Sequence, residues 1–398
     1  MEDGVLKRDV FDEVEPFLTT DDIIVLHGAR QVGKTHILLF IKNYLEKNGK
    51  KTFFIDLEDS RLVETLDKSV DSFLTYLEQN GITINITSKE QKTYIFIDEI
   101  QYLENPSSFL KLITDHHKYL KLIVSGSSSF DIKSKFTNSL VGRTVEFEVY
   151  PLSFKEFLRF KGQINMLDIK SLYEEYILFG GYPKIVLDGD VLLKEKHLQQ
   201  IIKTYVEKDI SDLAKIRDIK KFNNLLKLLA SQSGQLINLS QTANICELAV
   251  ETVKEYISIL EKTYVLKLVY PFSSSIKVEI VKTPKVFFYD TGLLQIIWLK
   301  KLQNTVFGHI FETSIFSELV KKFGRENINF WRNKNGTEID FILDNKGDIL
   351  PIEVKNNFSE FKKSKITAFL EKYKIVNYKV VGLEGAKKSP NYIYPWEI

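Results

Sequence analysis

Residues 28–35 constrain this chain more than any others. They read GARQVGKT, a G-x-x-x-x-G-K-T loop. Before the loop, residues 23–27 (IIVLH) form a short apolar run suited to a buried parallel strand. After it, HILLFIKNYLEK has the periodicity of an amphipathic helix. Strand, glycine loop and helix in that order make a cradle for a polyphosphate, which meets backbone N–H groups and the positive end of the helix dipole. Gly28 and Gly33 keep side chains out of the approach, and Ala29, Arg30, Gln31, Val32 and His36 complete the lining. Lys34 is placed to reach the β- and γ-phosphates, and Thr35 to offer its hydroxyl to magnesium. The expected ligand is ATP with Mg2+.

A second apolar run, TYIFIDEIQ at residues 93–101, ends in two acids. Ligands of open α/β sheets bind at the carboxyl ends of strands. Asp98 there is suited to hold magnesium through water, and Glu99 to orient or activate the attacking water. A third run, LKLIVSGSSS at 120–129, ends in Ser125, Ser127 and Ser128. That end suits a γ-phosphate sensor or an ordinary serine turn. Arg143, in SLVGRT, is a candidate arginine finger supplied to a neighbouring subunit, which would make the protein a homo-oligomer.

With 398 residues, 44% of them hydrophobic, the chain can fill two or three cores of ordinary size. Its apolar runs are broken by charge too soon to span a bilayer, and the N-terminus lacks the apolar region of a signal peptide. Cys246 is the only cysteine, so neither an internal disulfide nor a cysteine-based metal cluster is possible. These features predict a cytoplasmic protein without membrane contact. Charge is unevenly distributed. Residues 1–215 carry 28 basic and 34 acidic side chains (−6), residues 216–275 carry 7 and 5 (+2), and residues 276–398 carry 20 and 14 (+6). Any nucleic-acid contact is therefore expected toward the C-terminus, although a lysine-rich solubilising surface has the same composition.

The ordered set GARQVGKT, YIFIDEIQ, IVSGSSS, LVGRT, YPLSFKEFL (150–158) and FGGYPKIV (179–186) resembles the AAA-type P-loop ATPases of bacteria and archaea that carry a C-terminal domain of unknown function. The resemblance covers nearly the whole chain. It implies an α/β fold with an ATPase core at 1–150, a helical lid at 151–219, a winged helix at 220–290 and a restriction-endonuclease-like α/β domain at 291–398. Helical periodicity in SFKEFLRF and SLYEEYILF fits the lid, and Gly180–Gly181–Tyr182–Pro183 breaks it as a turn or hinge. In the third helix of the winged-helix stretch, Glu247, Glu251, Glu255 and Glu261 stand against Lys254 and Lys262. Acids repel phosphates, so packing against protein competes there with reading DNA.

The last stretch pairs a helix bearing Glu312 with strands bearing Asp340 and then Glu353-x-Lys355. An acid, a spacer of this length and E-x-K form the signature of the PD-(D/E)XK nuclease core. Asp340 and Glu353, with Glu312 added, would bind magnesium near a scissile phosphate, and Lys355 would help to activate water. The leading acid follows Ile339 rather than the usual proline, which puts cleavage in doubt. Two functions follow. One is a Mg-dependent ATPase coupled to DNA handling. The other is a nucleotide-dependent switch that binds a protein partner through an inactive nuclease fold.

Overall fold

The computed structural model describes residues 5–82, 92–126, 140–162, 166–204, 210, 216, 218–272, 283–306, 308–333 and 335–398. The chain divides into two compact units, Met1–Tyr150 and Pro151–Ile398. Among the described residues, no helix is long and apolar enough to cross a membrane.

The first unit is a parallel sheet of five strands: β1 (Ile23–Gly28), β2 (Lys51–Asp56), β3 (Thr93–Asp98), β4 (Leu120–Gly126) and β5 (Thr144–Val149). Their order is β2-β3-β4-β1-β5, with every neighbouring pair parallel. The three central strands are buried along their whole length, whereas the edge strands β2 and β5 are only partly so. This is the reason for their unbroken apolar runs, since helices cover both faces of a parallel sheet. Ile23, Val25, Ile95, Ile97, Leu122 and Val124 pack with Phe73, Leu77 and Phe109 from the flanking helices α3 (Val70–Gln79) and α4 (Pro106–His116). The helix following β1 is α1 (Lys34–Lys47), and the helix before α3, Ser60–Lys68, is α2.

The second unit opens with helices α5 (Phe154–Lys161), α6 (Ile169–Phe179), α7 (Pro183–Leu187) and α8 (Val191–Ile201). Then come α9 (Ile219–Ser231), α10 (Leu239–Cys246), α11 (Val250–Lys262) and an antiparallel hairpin of β6 (Leu266–Val269) and β7 (Lys285–Phe288). Helices α12 (Thr291–Leu299) and α13 (Gly308–Phe323) lead into a second sheet. Its strands are β8 (Ile328–Arg332), β9 (Glu338–Asn345), β10 (Asp348–Asn357), β11 (Lys379–Glu384) and β12 (Tyr392–Ile393), in the order β12-β11-β10-β9-β8. Pairs β8–β9 and β9–β10 are antiparallel and pairs β10–β11 and β11–β12 parallel, with α14 (Ser364–Tyr373) making the crossover from β10 to β11.

The helices expected as a lid belong to the second unit. Tyr173 on α6 bonds Ser314 on α13 at 3.2 Å, and Gln295 on α12 donates to the Leu178 carbonyl at 2.8 Å. Of the two readings of Gly180–Gly181, the hydrogen bond from the turn to Asp290 favours the structural turn. Asp290 is buried and accepts from Gly181 N at 2.7 Å and Leu293 N at 2.8 Å. Gly180 has φ +80°, and a Cβ there would lie 2.3 Å from an Asp290 carboxylate oxygen. The charges assigned to α11 shift. Glu247 is not on this helix but ends α10 with φ +53°, and Glu261 turns inward to accept Leu268 N at 2.9 Å. Exposed charge on α11 is left to Glu251 and Glu255 against Lys254 and Lys262, so the face is balanced rather than acidic.

Candidate functional site

β1 delivers the chain to the phosphate loop at Gly28. A Cβ on this residue would lie 2.0 Å from the Val149 carbonyl oxygen, so the close approach of β5 requires glycine here. This packing adds to the clearance for phosphate expected of Gly28. The loop turns through left-handed residues at Gln31 (φ +61°) and Gly33 (φ +96°), and α1 starts at Lys34 without a side-chain cap. The first N–H groups of the helix thus point into the loop with no side chain bonded to them, as anion binding requires. Lys34 is buried, and its Nζ donates to the carbonyls of Ala29 at 2.8 Å and Gly28 at 3.1 Å. Burial lowers its pKa, against the pull of Glu99 and Asp98. Of the other lining residues, Ala29 and Val32 are buried, Arg30 is half-buried, and Gln31, Thr35 and His36 are exposed.

Strand order brings the acids to the loop. β4 lies between β1 and β3, and Ser125 on β4 donates its hydroxyl to Asp98 Oδ1. From the other side, Thr35 donates to Asp98 Oδ2 at 2.5 Å. Burial raises the pKa of Asp98, and these two hydrogen bonds oppose the rise. Glu99 follows with φ +54°, a conformation costly for a non-glycine residue and concentrated at functional sites. Its N–H lies 3.3 Å from Ser125 Oγ, and its carboxylate accepts from Gln101 Nε2. Lys34, Thr35, Asp98 and Glu99 therefore converge with Ser125, whereas Ser127 and Ser128 lie outside the described residues. The donors at Thr35 and Asp98 are hard oxygens, the ligand type magnesium takes beside phosphate oxygens, so this set fits Mg2+.

Sequence reasoning missed two supports. Arg8 is buried and braces the loop, donating to the carbonyls of Val32 at 2.7 Å and Tyr150 at 2.8 Å. Gln101 anchors Glu99. A lone arginine in the N-terminal segment carries no pattern that would single it out. Arg143 does not join the site in its own chain. It precedes β5 at the amino edge of the sheet, where Ile23 N donates to the Arg143 carbonyl at 2.7 Å. Its guanidinium forks onto Asp115 at 2.8 and 3.2 Å.

A second cluster lies in the C-terminal sheet. Lys355 on β10 contacts Glu353 at 2.7 Å and Asp340 on β9 at 3.2 Å, and Asp340 also accepts Val354 N at 2.7 Å. Glu312 on α13 contacts Lys285 on β7 at 3.1 Å, and Lys285 contacts Glu338 on β9 at 2.6 Å. Burial pushes the Glu353 and Glu312 carboxyls upward in pKa, and the charge of Asp340 adds to both. All four expected residues (Glu312, Asp340, Glu353, Lys355) gather here, together with Lys285 and Glu338, which the sequence did not single out. With Lys285 and Lys355 in place they do not form a metal centre. Among the described residues, no three carboxylate, imidazole or thiol groups converge closely enough to hold an ion. Glu353 Oε1 is buried without a hydrogen-bond partner, but one oxygen does not make a coordination site.

Comparison with known proteins divides the chain in three. Residues 20–158 match a family model described as an AAA domain. Residues 170–305 and 307–394 match two models described as domains of unknown function, DUF8612 and DUF4143. A protein of Haemophilus influenzae described as uncharacterized is 27% identical, over 88% of this chain and 86% of its own. Another, from Methanocaldococcus jannaschii, is 28% identical over 85% and 75%. Among solved structures, a Walker-type ATPase of Pyrococcus abyssi is similar at 17% identity, covering 74% of this chain and 96% of that one with a TM-score of 0.49. Family model, phosphate loop and parallel sheet agree that residues 20–158 are an AAA-type P-loop domain.

Proposed function

We propose that the protein binds ATP with magnesium at the phosphate loop and hydrolyses it, and that the nucleotide state governs contact with nucleic acid through the second unit. The observation that carries the ATPase reading is the Thr35–Asp98–Ser125 hydrogen-bond chain with Glu99 beside it. Lys34 would leave its loop carbonyls for the β- and γ-phosphates, and the α1 N–H groups would take the remaining phosphate charge. Thr35 and Asp98 would hold the magnesium, which neutralises charge on the phosphate oxygens. Glu99, held by Gln101, would accept a proton from the attacking water. At the far edge of its own sheet, Arg143 is suited only to a neighbour's nucleotide, which makes a homo-oligomer part of this proposal.

Support for the nucleic-acid reading is the positive balance of residues 276–398 and the exposed lysines Lys362, Lys363, Lys365, Lys372 and Lys374 on and around α14. Three helices, an isolated β-bridge at Leu236 and a hairpin in residues 219–288 also favour a winged-helix reading. The test is ATP turnover with and without duplex and single-stranded DNA. The reading predicts stimulation that weakens as salt rises. Turnover indifferent to every nucleic acid would replace it with the second reading, a nucleotide-dependent switch for a protein partner. That alternative has its own observation: the acids of the nuclease-like sheet are already paired with lysines.

A further inference from the structure

Lys285 comes from outside the C-terminal sheet. It is the first residue of β7, 53 positions (338 − 285) ahead of its partner Glu338 on β9, yet its side chain is only 4% exposed. Its ammonium lies between Glu312 and Glu338, 3.1 and 2.6 Å away. The ring of Phe330 on β8 is 5.6 Å from it and that of Phe287 5.9 Å, so aromatic faces line the sides that the carboxylates leave open. The charge of Asp340 acts on Lys285 as well as on Glu312, so the two lysine-centred groups share one electrostatic neighbourhood. Four carboxylates (Glu312, Glu338, Asp340, Glu353) face Lys285, Lys355 and Arg332, the last 3.6 Å from Glu338. A divalent ion entering here would meet two ammonium groups already bonded to the oxygens it needs.

We propose that Lys285 is the resident cation of this cluster: it takes the place a divalent metal would need and ties the β6–β7 hairpin to the C-terminal sheet. This extends the second reading above, in which the nuclease-like sheet serves as a binding surface, and it is independent of ATP hydrolysis. The hairpin is also joined to the sheet by backbone, with Phe272 N donating to Phe330 O at 2.6 Å and Phe330 N to Tyr270 O at 3.2 Å. Lys285 thus closes a joint that the backbone has already set in register.

The experiment is Mn2+ titration of the nucleotide-free full chain, followed by the electron paramagnetic resonance signal of free Mn2+. Wild type and Asp340→Asn should give the same curve, because no ion sits in the cluster to lose. Lys285→Met should gain one Mn2+ per chain, and adding Glu312→Gln to Lys285→Met should abolish the gain. Wild type binding an ion that Asp340→Asn does not bind would overturn the proposal, whether or not Lys285→Met folds. A folded Lys285→Met that takes no Mn2+ would overturn it too. ATPase turnover plays no part in this readout, so its outcome is separable from that of the phosphate-loop assignment.

Discussion

Glu99→Gln should bind ATP as the wild type does and hydrolyse it about 10²-fold more slowly or worse, the loss expected on removing a general base. The substitution is close to isosteric. The left-handed backbone at residue 99 is unchanged in kind, and a glutamine oxygen at this position still accepts from Gln101 Nε2. The Asp98 hydrogen bonds to Thr35 and Ser125 do not involve the exchanged group. What disappears is the negative oxygen able to take a proton from water. The variant should therefore accumulate the ATP-bound form, seen as slow phosphate release with an unaltered nucleotide titration. If affinity and turnover fell together, Glu99 would hold the metal or the fold rather than the water.

Asp290→Ala should destabilise the second unit by about 3–5 kcal/mol, the range for leaving buried donors without an acceptor and removing a helix cap. Its carboxylate serves the Gly181 and Leu293 N–H groups at once, one from the α6–α7 turn and one from the first turn of α12. Alanine leaves both buried and unpaired. Burial raises the pKa of Asp290, so ionising it already costs something, which holds the net loss below the sum of its hydrogen bonds. Asp290→Asn keeps one acceptor oxygen and should fall between alanine and wild type. The tryptophans report this directly, since Trp298, Trp331 and Trp396 all lie in the second unit. Denaturant unfolding followed by their fluorescence should shift its midpoint down in Asp290→Ala, and an unmoved midpoint would refute the role.

How much of this was legible in the sequence depends on the distance between partners along the chain. The phosphate loop was, because strand, loop and helix are contiguous and the motif is read from adjacent residues. The acids at the end of β3 were too, since an apolar run closing on charge marks a strand end. The insertion of β4 between β1 and β3, which puts Ser125 on Asp98, is a pairing between distant segments, and periodicity does not encode it. Gly28 was identified, but its packing against β5 was not, because the carbonyl that excludes a side chain belongs to Val149. Asp290 and Gly181 are 109 positions apart, and neither stands in a motif that names the other. In the C-terminal sheet, two-residue alternation placed Glu353 and Lys355 on one face. It had no means to supply Lys285 from β7, and that lysine changes the cluster from a set of free acids into a set of ion pairs.

If ATP is bound and hydrolysed at the loop before α1, the reaction depends on Lys34. Its ammonium holds the Ala29 and Gly28 carbonyls, which it would exchange for phosphate oxygens. The measurement is phosphate release from ATP in magnesium by the purified full chain, beside Lys34→Ala shown by circular dichroism and thermal unfolding to be folded. The account predicts turnover by the wild type and a loss of at least about 10²-fold in the variant, the scale for removing one preorganised charge partner of the transferring group. A folded Lys34→Ala that releases phosphate at the wild-type rate would contradict it.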